Sequence, residues 1–215
     1  MSYAFHDIKH IAEPYLDDLP AHSLNRSDHT DHLRAIFLRC RFYRIRLNPH
    51  KCIFAVESGR LLGFIVSKDG IRVDPLKIKA ILALPPPTNL TQLQSLQGKA
   101  NFLRRLIYNY AEITKGFMRL LQKNVPFIWD DTAQWSFNAL KHALTHAPLL
   151  HPPEYTKDYI LYLAASTSTI AMVLIQEDSN GEEHVIYYLS KSLSGPELRY
   201  SHVKKLAMAA VIAVQ

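Results

Sequence analysis

The chain has 215 residues, with 25 Lys+Arg against 19 Asp+Glu, and a formal net charge of +6. At 48% hydrophobic and 20% charged residues it is globular rather than disordered, long enough for one large domain or a few small ones. No apolar run approaches the roughly 20 residues of a membrane span, and Cys40 and Cys52 support neither a disulfide framework nor a CxxC zinc site.

A reduced intracellular setting is therefore expected, with no charged-then-apolar leader to argue for secretion. The positive balance suits a polyanionic partner. Up to about Ser23, Tyr15-Leu16-Asp17-Asp18 lies between apolar residues and predicts a hairpin with two carboxylates at its tip. Pro14 and Pro20 each take a hydrogen bond from its ladder. A helix is predicted from Asp28 to about Tyr43, with Leu33, Ile36, Phe37 and Leu38 inward and Arg34, Arg39 and Arg41 outside. Short strands at Cys52–Val56 and Leu61–Val66, joined by a turn at Glu57–Arg60, are expected to form a ribbon with Ile71–Val73.

At Asp74-Pro75 the pattern turns helical, with Asp74 as N-cap and Pro75 as first residue. Pro85-Pro86-Pro87 then forms a stiff extended linker. Leu93, Leu96, Ala100, Leu103 and Ile107 recur at helical spacing and predict one continuous helix. Its opposite stripe is Gln94, Gly98, Asn101, Arg105 and Tyr108. A third helix carries Ile113, Phe117, Leu120 and Leu121, which completes a compact helical unit. A new module begins after Lys123: a helix capped by Asp130 or Asp131 holds Phe137, Leu140 and Leu144 inward and ends at Pro148. Strands at Tyr159–Leu163, Ile170–Gln176 and His184–Leu189 follow, with a hairpin signal at Asn180-Gly181. The last helix, from about Pro196, reaches Gln215 without a cap or closing turn, so the chain is expected to stop inside a module.

Several groups invite chemical readings. Asp-Asp in a turn has a plain explanation, since Asp accepts hydrogen bonds from turn amides. It is also one part of a two-metal nucleotidyl-transfer site, which needs carboxylates from at least two places in a chain. His22, His29 and His32, with Asp28 and Asp31, read as a solvated helix start rather than a metal site, and His142 and His146 likewise. No Gly-rich phosphate loop or Gly-x-Ser-x-Gly turn occurs. The Gly98 stripe is more telling. A solvated helix face avoids Gly, which costs about 1 kcal/mol against Ala. Gly98 admits a close backbone approach, either by nucleic acid or by another helix, and Asn, Arg and Tyr beside it can contact sugar and phosphate.

Taken in order, these pieces resemble the polymerase and ribonuclease H region of Ty3/gypsy-type long-terminal-repeat retrotransposons. The residues that carry the likeness are Tyr15-Leu16-Asp17-Asp18, Arg46-Leu47-Asn48-Pro49-His50-Lys51-Cys52, Leu61-Leu62-Gly63-Phe64-Ile65-Val66-Ser67 and Gly70-Ile71-Arg72-Val73-Asp74-Pro75. Pro85-Pro86-Pro87, Gln97-Gly98-Lys99-Ala100-Asn101-Phe102-Leu103-Arg104-Arg105, Leu161-Tyr162-Leu163, Ile186-Tyr187-Tyr188-Leu189-Ser190-Lys191 and Arg199-Tyr200-Ser201 continue it, collinear over nearly the whole chain.

The resemblance implies an α+β chain. Residues 1–72 would be part of a reverse transcriptase palm, 73–124 a helical thumb, and 125–215 a truncated ribonuclease H-like or connection module. Asp17 and Asp18 would be polymerase carboxylates holding Mg²⁺ or Mn²⁺, Asp17 foremost. Leu62, Gly63 and Phe64 would form the primer grip. Gly98, Asn101, Arg104 and Arg105 would face an RNA–DNA or DNA template–primer duplex, and the rest of a Pol polyprotein is the other expected partner. The third polymerase aspartate is expected upstream of this chain. Ala164 and Leu206 stand where active relatives carry ribonuclease H carboxylates, and the remaining ones would lie beyond Gln215. The expectation is a reverse transcriptase fragment unable to polymerise or cleave alone. The alternative is a non-catalytic nucleic-acid-binding or interaction remnant.

Overall fold

The computed structural model describes residues 3–214. The fold is a mixture of helices and two small sheets, and it divides into two compact units, Met1–Leu61 and Leu62–Gln215. Gln215, expected to end the last helix, lies outside the described residues. Among those residues no helix is long and apolar enough to cross a membrane.

The first unit is built on helix α1, His29–Phe42. Its Ile36 and Cys40 pack with Phe5, Ile11 and Ala12 into a small core, and Arg39 leans inward to pair with Asp7. Phe37 and Leu38, expected inside, stay exposed, because the face toward the core runs through Ile36, Arg39 and Cys40 instead. The Ser23 hydroxyl lies 2.9 Å from His29 Nδ1 and 2.8 Å from His32 Nδ1, which ties the helix start to the segment before it. The strand expected at Cys52–Val56 does not form; Ile53, Phe54 and Val56 are exposed, and Ala55 has φ of 54°. The unit closes on strand β1, Ser58–Leu61, inside the segment expected to be a turn.

In the second unit, β2 (Phe64–Ser67) pairs antiparallel with β3 (Gly70–Val73), in register from Phe64↔Val73 to Ser67↔Gly70. The turn before β2 is Leu62-Gly63, with φ of 51° and 77°. Two successive left-handed residues make a tight reversal, so the ribbon turns later than its composition suggests. Helix α2, Pro75–Leu82, starts as expected: the Asp74 carboxylate accepts from Leu76 N at 2.9 Å. Helix α3, Leu90–Asn101, is capped by Asn89. The long helical stripe is not one helix. Arg104–Leu106 is a 3-10 turn and Ile107 is extended. The tighter winding buries Leu103, Leu106 and Ile107 together.

Helix α4, Tyr110–Met118, packs on α5, Asp131–Thr145, whose cap is Asp130. One core runs through Phe64, Leu93, Leu96, Leu103, Leu106, Phe117, Phe137 and Leu140 to Leu150, so residues 64–150 share a single apolar interior. Strands β4 (Ile160–Ala165), β5 (Thr169–Glu177) and β6 (Glu183–Ser192) form an antiparallel meander in that order. Helix α6, His202–Val214, covers one face through Leu161, Leu163, Ala165 and Met172. It begins later than expected: Gly195–Arg199 is a separate 3-10 turn with its own Ser194/Glu197 capping box.

Candidate functional site

The paired carboxylates sit where the sequence put them. Tyr15 N donates to Asp18 O and Asp18 N to Tyr15 O, both at 2.9 Å, so Leu16-Asp17 is a two-residue turn. Glu13 N donates to Pro20 O at 3.2 Å, so Pro20 joins the ladder through its carbonyl, where no N–H is required. Leu16 takes φ of 51°, a left-handed conformation costly for a branched side chain. Asp17 and Asp18 are both exposed. A two-metal site needs more carboxylates than these two. Among the described residues no third carboxylate, histidine or cysteine converges on them. The donor set does not fit a two-metal cage.

Leu62-Gly63-Phe64 lies against the segment after α3 in a layered stack. The Phe64 and Phe102 rings stack at 4.7 Å and 21°. The Arg105 guanidinium lies 4.1 Å over Phe64, and the Lys77 ammonium 3.9 Å over Phe102. Two cations thus bracket two rings, and each attraction is worth about 0.5–1 kcal/mol or more as it leaves water. Gly63 suits its φ of 77°, and a side chain there would displace the end of Lys77 from its place over Phe102. The Gly63 carbonyl also accepts from Asp74 N at 3.4 Å. Lys77 and Phe102 were not singled out from sequence. An aromatic three residues before an arginine, on an otherwise polar helix end, was the available signal.

The four residues expected at a duplex divide. Gly98 is exposed, with open space where a side chain would be, and Asn101 and Arg104 are exposed too. Because α3 ends at Asn101, Arg105 leaves their stripe and turns toward Phe64. Its Nε, the Asn109 side-chain oxygen and the Tyr110 hydroxyl are buried without a hydrogen-bond partner. Burial pushes the Tyr110 phenol up to about 12, with Arg104 pulling weakly the other way.

Ala164 and Leu206, expected to match ribonuclease H carboxylate positions, offer no ligand atom. Ala164 is exposed on β4, on the face opposite Leu163 and Ala165. Leu206 is half-buried on α6. Neither side chain can bind a cation. Close by, the buried Lys205 ammonium donates to Thr167 O at 2.8 Å and Ser166 O at 3.3 Å. From α4, Lys115 donates to the Ser168 hydroxyl at 2.7 Å, and Glu112 accepts from the Thr169 hydroxyl at 2.9 Å.

Residues 129–215 match the family described as an RNase H-like domain found in reverse transcriptase. The chain is 32% identical over 208 residues to the retrovirus-related Pol polyprotein from transposon opus of Drosophila melanogaster, covering 92% of this chain and 21% of that protein. It is 27% identical over 198 residues to the Tf2-3 transposon polyprotein of Schizosaccharomyces pombe, covering 92% and 15%. The chain thus spans about a fifth or less of the length of these relatives. The fold is similar to a foamy viral protease-reverse transcriptase solved with double-stranded DNA, with TM-score 0.85 and 22% identity over 99% of this chain and 38% of that one. The same viral protein solved with an RNA/DNA hybrid superposes with TM-score 0.83, at 22% identity over 99% of this chain and 29% of that one.

Proposed function

From a chain that carries the RNase H-like domain of reverse transcriptases and is homologous to the Pol polyproteins of transposons, we propose a non-catalytic segment that grips a template–primer duplex. In this reading residues 1–72 are palm, 73–124 thumb and 125–215 a ribonuclease H-like connection module. Leu62-Gly63-Phe64 is the primer grip, held to the thumb by the Lys77–Phe102–Phe64–Arg105 stack. Gly98, Asn101 and Arg104 meet the sugar–phosphate backbone. The viral relatives solved with duplexes support the choice of partner.

The observation that carries the proposal is the open space at Gly98. A helical glycine costs about 1 kcal/mol against alanine, and no neighbour inside the described protein requires it. An incoming backbone from outside does. Arg105 acts indirectly, by holding Phe64. Asp17 and Asp18 belong to a metal site that this chain's own residues leave incomplete, so no extension of a primer is expected.

The test is duplex binding by the whole chain, read by fluorescence anisotropy across a salt series. Binding should weaken steeply with salt, because each phosphate contact releases counterions. Arg104→Ala should lower affinity on all sequences alike, and Gly98→Ala should lower it without loss of fold. Affinity that ignores salt, or a Gly98→Ala protein that binds like the parent, would refute the grip. Robust primer extension with magnesium that vanishes in Asp17→Ala would refute the inactivity.

A further inference from the structure

A second group of ligand-type side chains lies at the β5–β6 turn, apart from both the paired aspartates and the ribonuclease H positions. We propose that Asp178, Glu182 and His184 form a binding site for one divalent transition ion of the zinc class, with His151 holding the imidazole in place.

One donor atom from each of the three residues lies within 4.8 Å of the other two. The turn is rigid. Asp178 N donates to Glu182 O at 2.9 Å, and Gly181 sits at φ of 79°. Asp178 Oδ1 is occupied by Asn180 N at 2.7 Å and Glu182 N at 2.9 Å, which leaves Oδ2 directed away from the turn. Oδ2 lies 3.4 Å from His184 Nε2. That separation holds an ion pair when the imidazole is protonated, which a bound cation would replace. It matches the edge of a tetrahedron around one ion: metal–ligand distances near 2.0–2.2 Å imply ligand pairs about 3.4 Å apart. The Glu182 side chain is exposed and free to complete the third vertex, with water at the fourth.

The imidazole is also supported from behind. His151 enters from a different part of the chain, fixed by its N–H to Val185 O at 2.8 Å, one residue beyond His184. The two rings lie 4.2 Å apart, tilted by 38°. A bulge in β6, where Leu174 pairs with Tyr187 and Ile175 with Val185, leaves Ile186 extra and turns the strand end. His151 is a positioning residue here, since its nitrogens are not among the converging donors. Two carboxylates offset the ion's charge. An imidazole beside them favours zinc-class ions over magnesium, which prefers all-oxygen shells.

Isothermal titration of the full chain with zinc chloride, and of the same chain with cobalt chloride followed by visible absorption, tests the site. Saturable binding of one equivalent is expected, with a tetrahedral cobalt spectrum and no comparable response to magnesium. Asp178→Asn, Glu182→Gln and His184→Ala should each weaken binding about tenfold or more, and His151→Ala by about tenfold. Asp178→Asn keeps an acceptor for the turn amides, so it separates lost ligation from lost folding. A His142→Ala/His146→Ala control should bind normally. No one-equivalent binding, binding that survives Asp178→Asn and His184→Ala, or loss in the His142/His146 control would each overturn the proposal.

Discussion

Gly116→Ala tests the packing argument most sharply. Gly116 faces α5 at the closest approach of α4 and α5, its N–H donating to the buried Ser136 hydroxyl at 3.1 Å. A methyl group there would collide with that hydroxyl, sit 3.0 Å from Ser136 Cβ, and lie 2.5 Å from the Thr132 carbonyl oxygen. The hydroxyl can rotate; the carbonyl cannot. Restoring ordinary van der Waals spacing would part the helices by about 1 Å, enough to forfeit a quarter to a half of each dispersion contact across the gap. Overpacking of this kind costs about 1–3 kcal/mol, and straining the Ser136 hydrogen bond adds about 1 kcal/mol. Alanine's helix preference returns about 1 kcal/mol. The net loss is about 1–3 kcal/mol, a fall in Tm of roughly 2–12 °C for a unit of this size. Gly98→Ala is the matched opposite: the same atoms enter open space on α3, so Tm should rise by about 2–4 °C. Circular-dichroism melts of the two variants decide the matter. If both glycine substitutions move Tm in the same direction, the reasoning is wrong.

Gly70→Ala should also destabilise: φ is 143°, and the new methyl would strike the Leu150 carbonyl that accepts from Ile71 N at 2.7 Å. A loss of about 2–4 kcal/mol in urea unfolding is expected, and a change under about 0.5 kcal/mol would count against the Ile71–Leu150 bridge as a structural joint. Tyr110→Phe should be neutral or slightly stabilising at pH 7, because the hydroxyl it removes is buried without a partner. The fold favours the neutral phenol, so Tyr110's contribution is intact below its ordinary value of 10 and is lost as pH rises towards about 12. The parent should therefore lose about 2–3 kcal/mol more than Tyr110→Phe over that interval, measured by denaturant midpoints; parallel pH profiles would contradict the assignment. Lys77→Met should cost about 0.5–1 kcal/mol through the Phe102 contact, and no loss would mean that the outer cation adds nothing to the stack.

Elements whose signals are local were legible in the sequence. Asp74-Pro75 announces α2 because cap and first residue act within one turn. The β4–β6 meander shows in its alternation and in Asn180-Gly181, and the Asp17-Asp18 hairpin in its flanking apolar residues. What escaped depends on distant partners. Glu57–Arg60 has the composition of a turn, yet Ser58–Leu61 is a strand, and the left-handed residues are Leu62-Gly63, where a leucine accepts a positive φ. Nothing in the spacing from Leu93 to Ile107 marks the end of α3 at Asn101. There is no glycine or proline at that point, and the break follows from burying Leu103, Leu106 and Ile107 in one core. At the candidate site, Gly98 is legible as a helical glycine with a reason to be there, whereas Gly63 enters only through the resemblance. The pairing of Phe64 with Phe102 joins residues 38 apart, which periodicity cannot register.

The β4–β5 turn shows what stands beside Ala164 and Leu206. Ribonuclease H chemistry concentrates carboxylates around two cations, and carboxylates without their ions would repel one another. Here neither Ala164 nor Leu206 carries a charge, and a lysine beside them contributes a positive one. The buried Lys205 ammonium is held by the carbonyls of Ser166 and Thr167, two and three residues past Ala164. A divalent ion drawn to this turn would meet that ammonium with no carboxylate at Ala164 or Leu206 to attract it. The same turn is gripped from the opposite side by Glu112 and Lys115 of α4. Each of these bonds satisfies a polar group that the turn would otherwise expose, and together they tie α4, the β4–β5 turn and α6 into one joint. An alanine, a leucine and a buried cation act in the same direction, since none of them attracts a metal ion, and the hydrogen bonds of the turn fix the connection between the helical segment and the sheet.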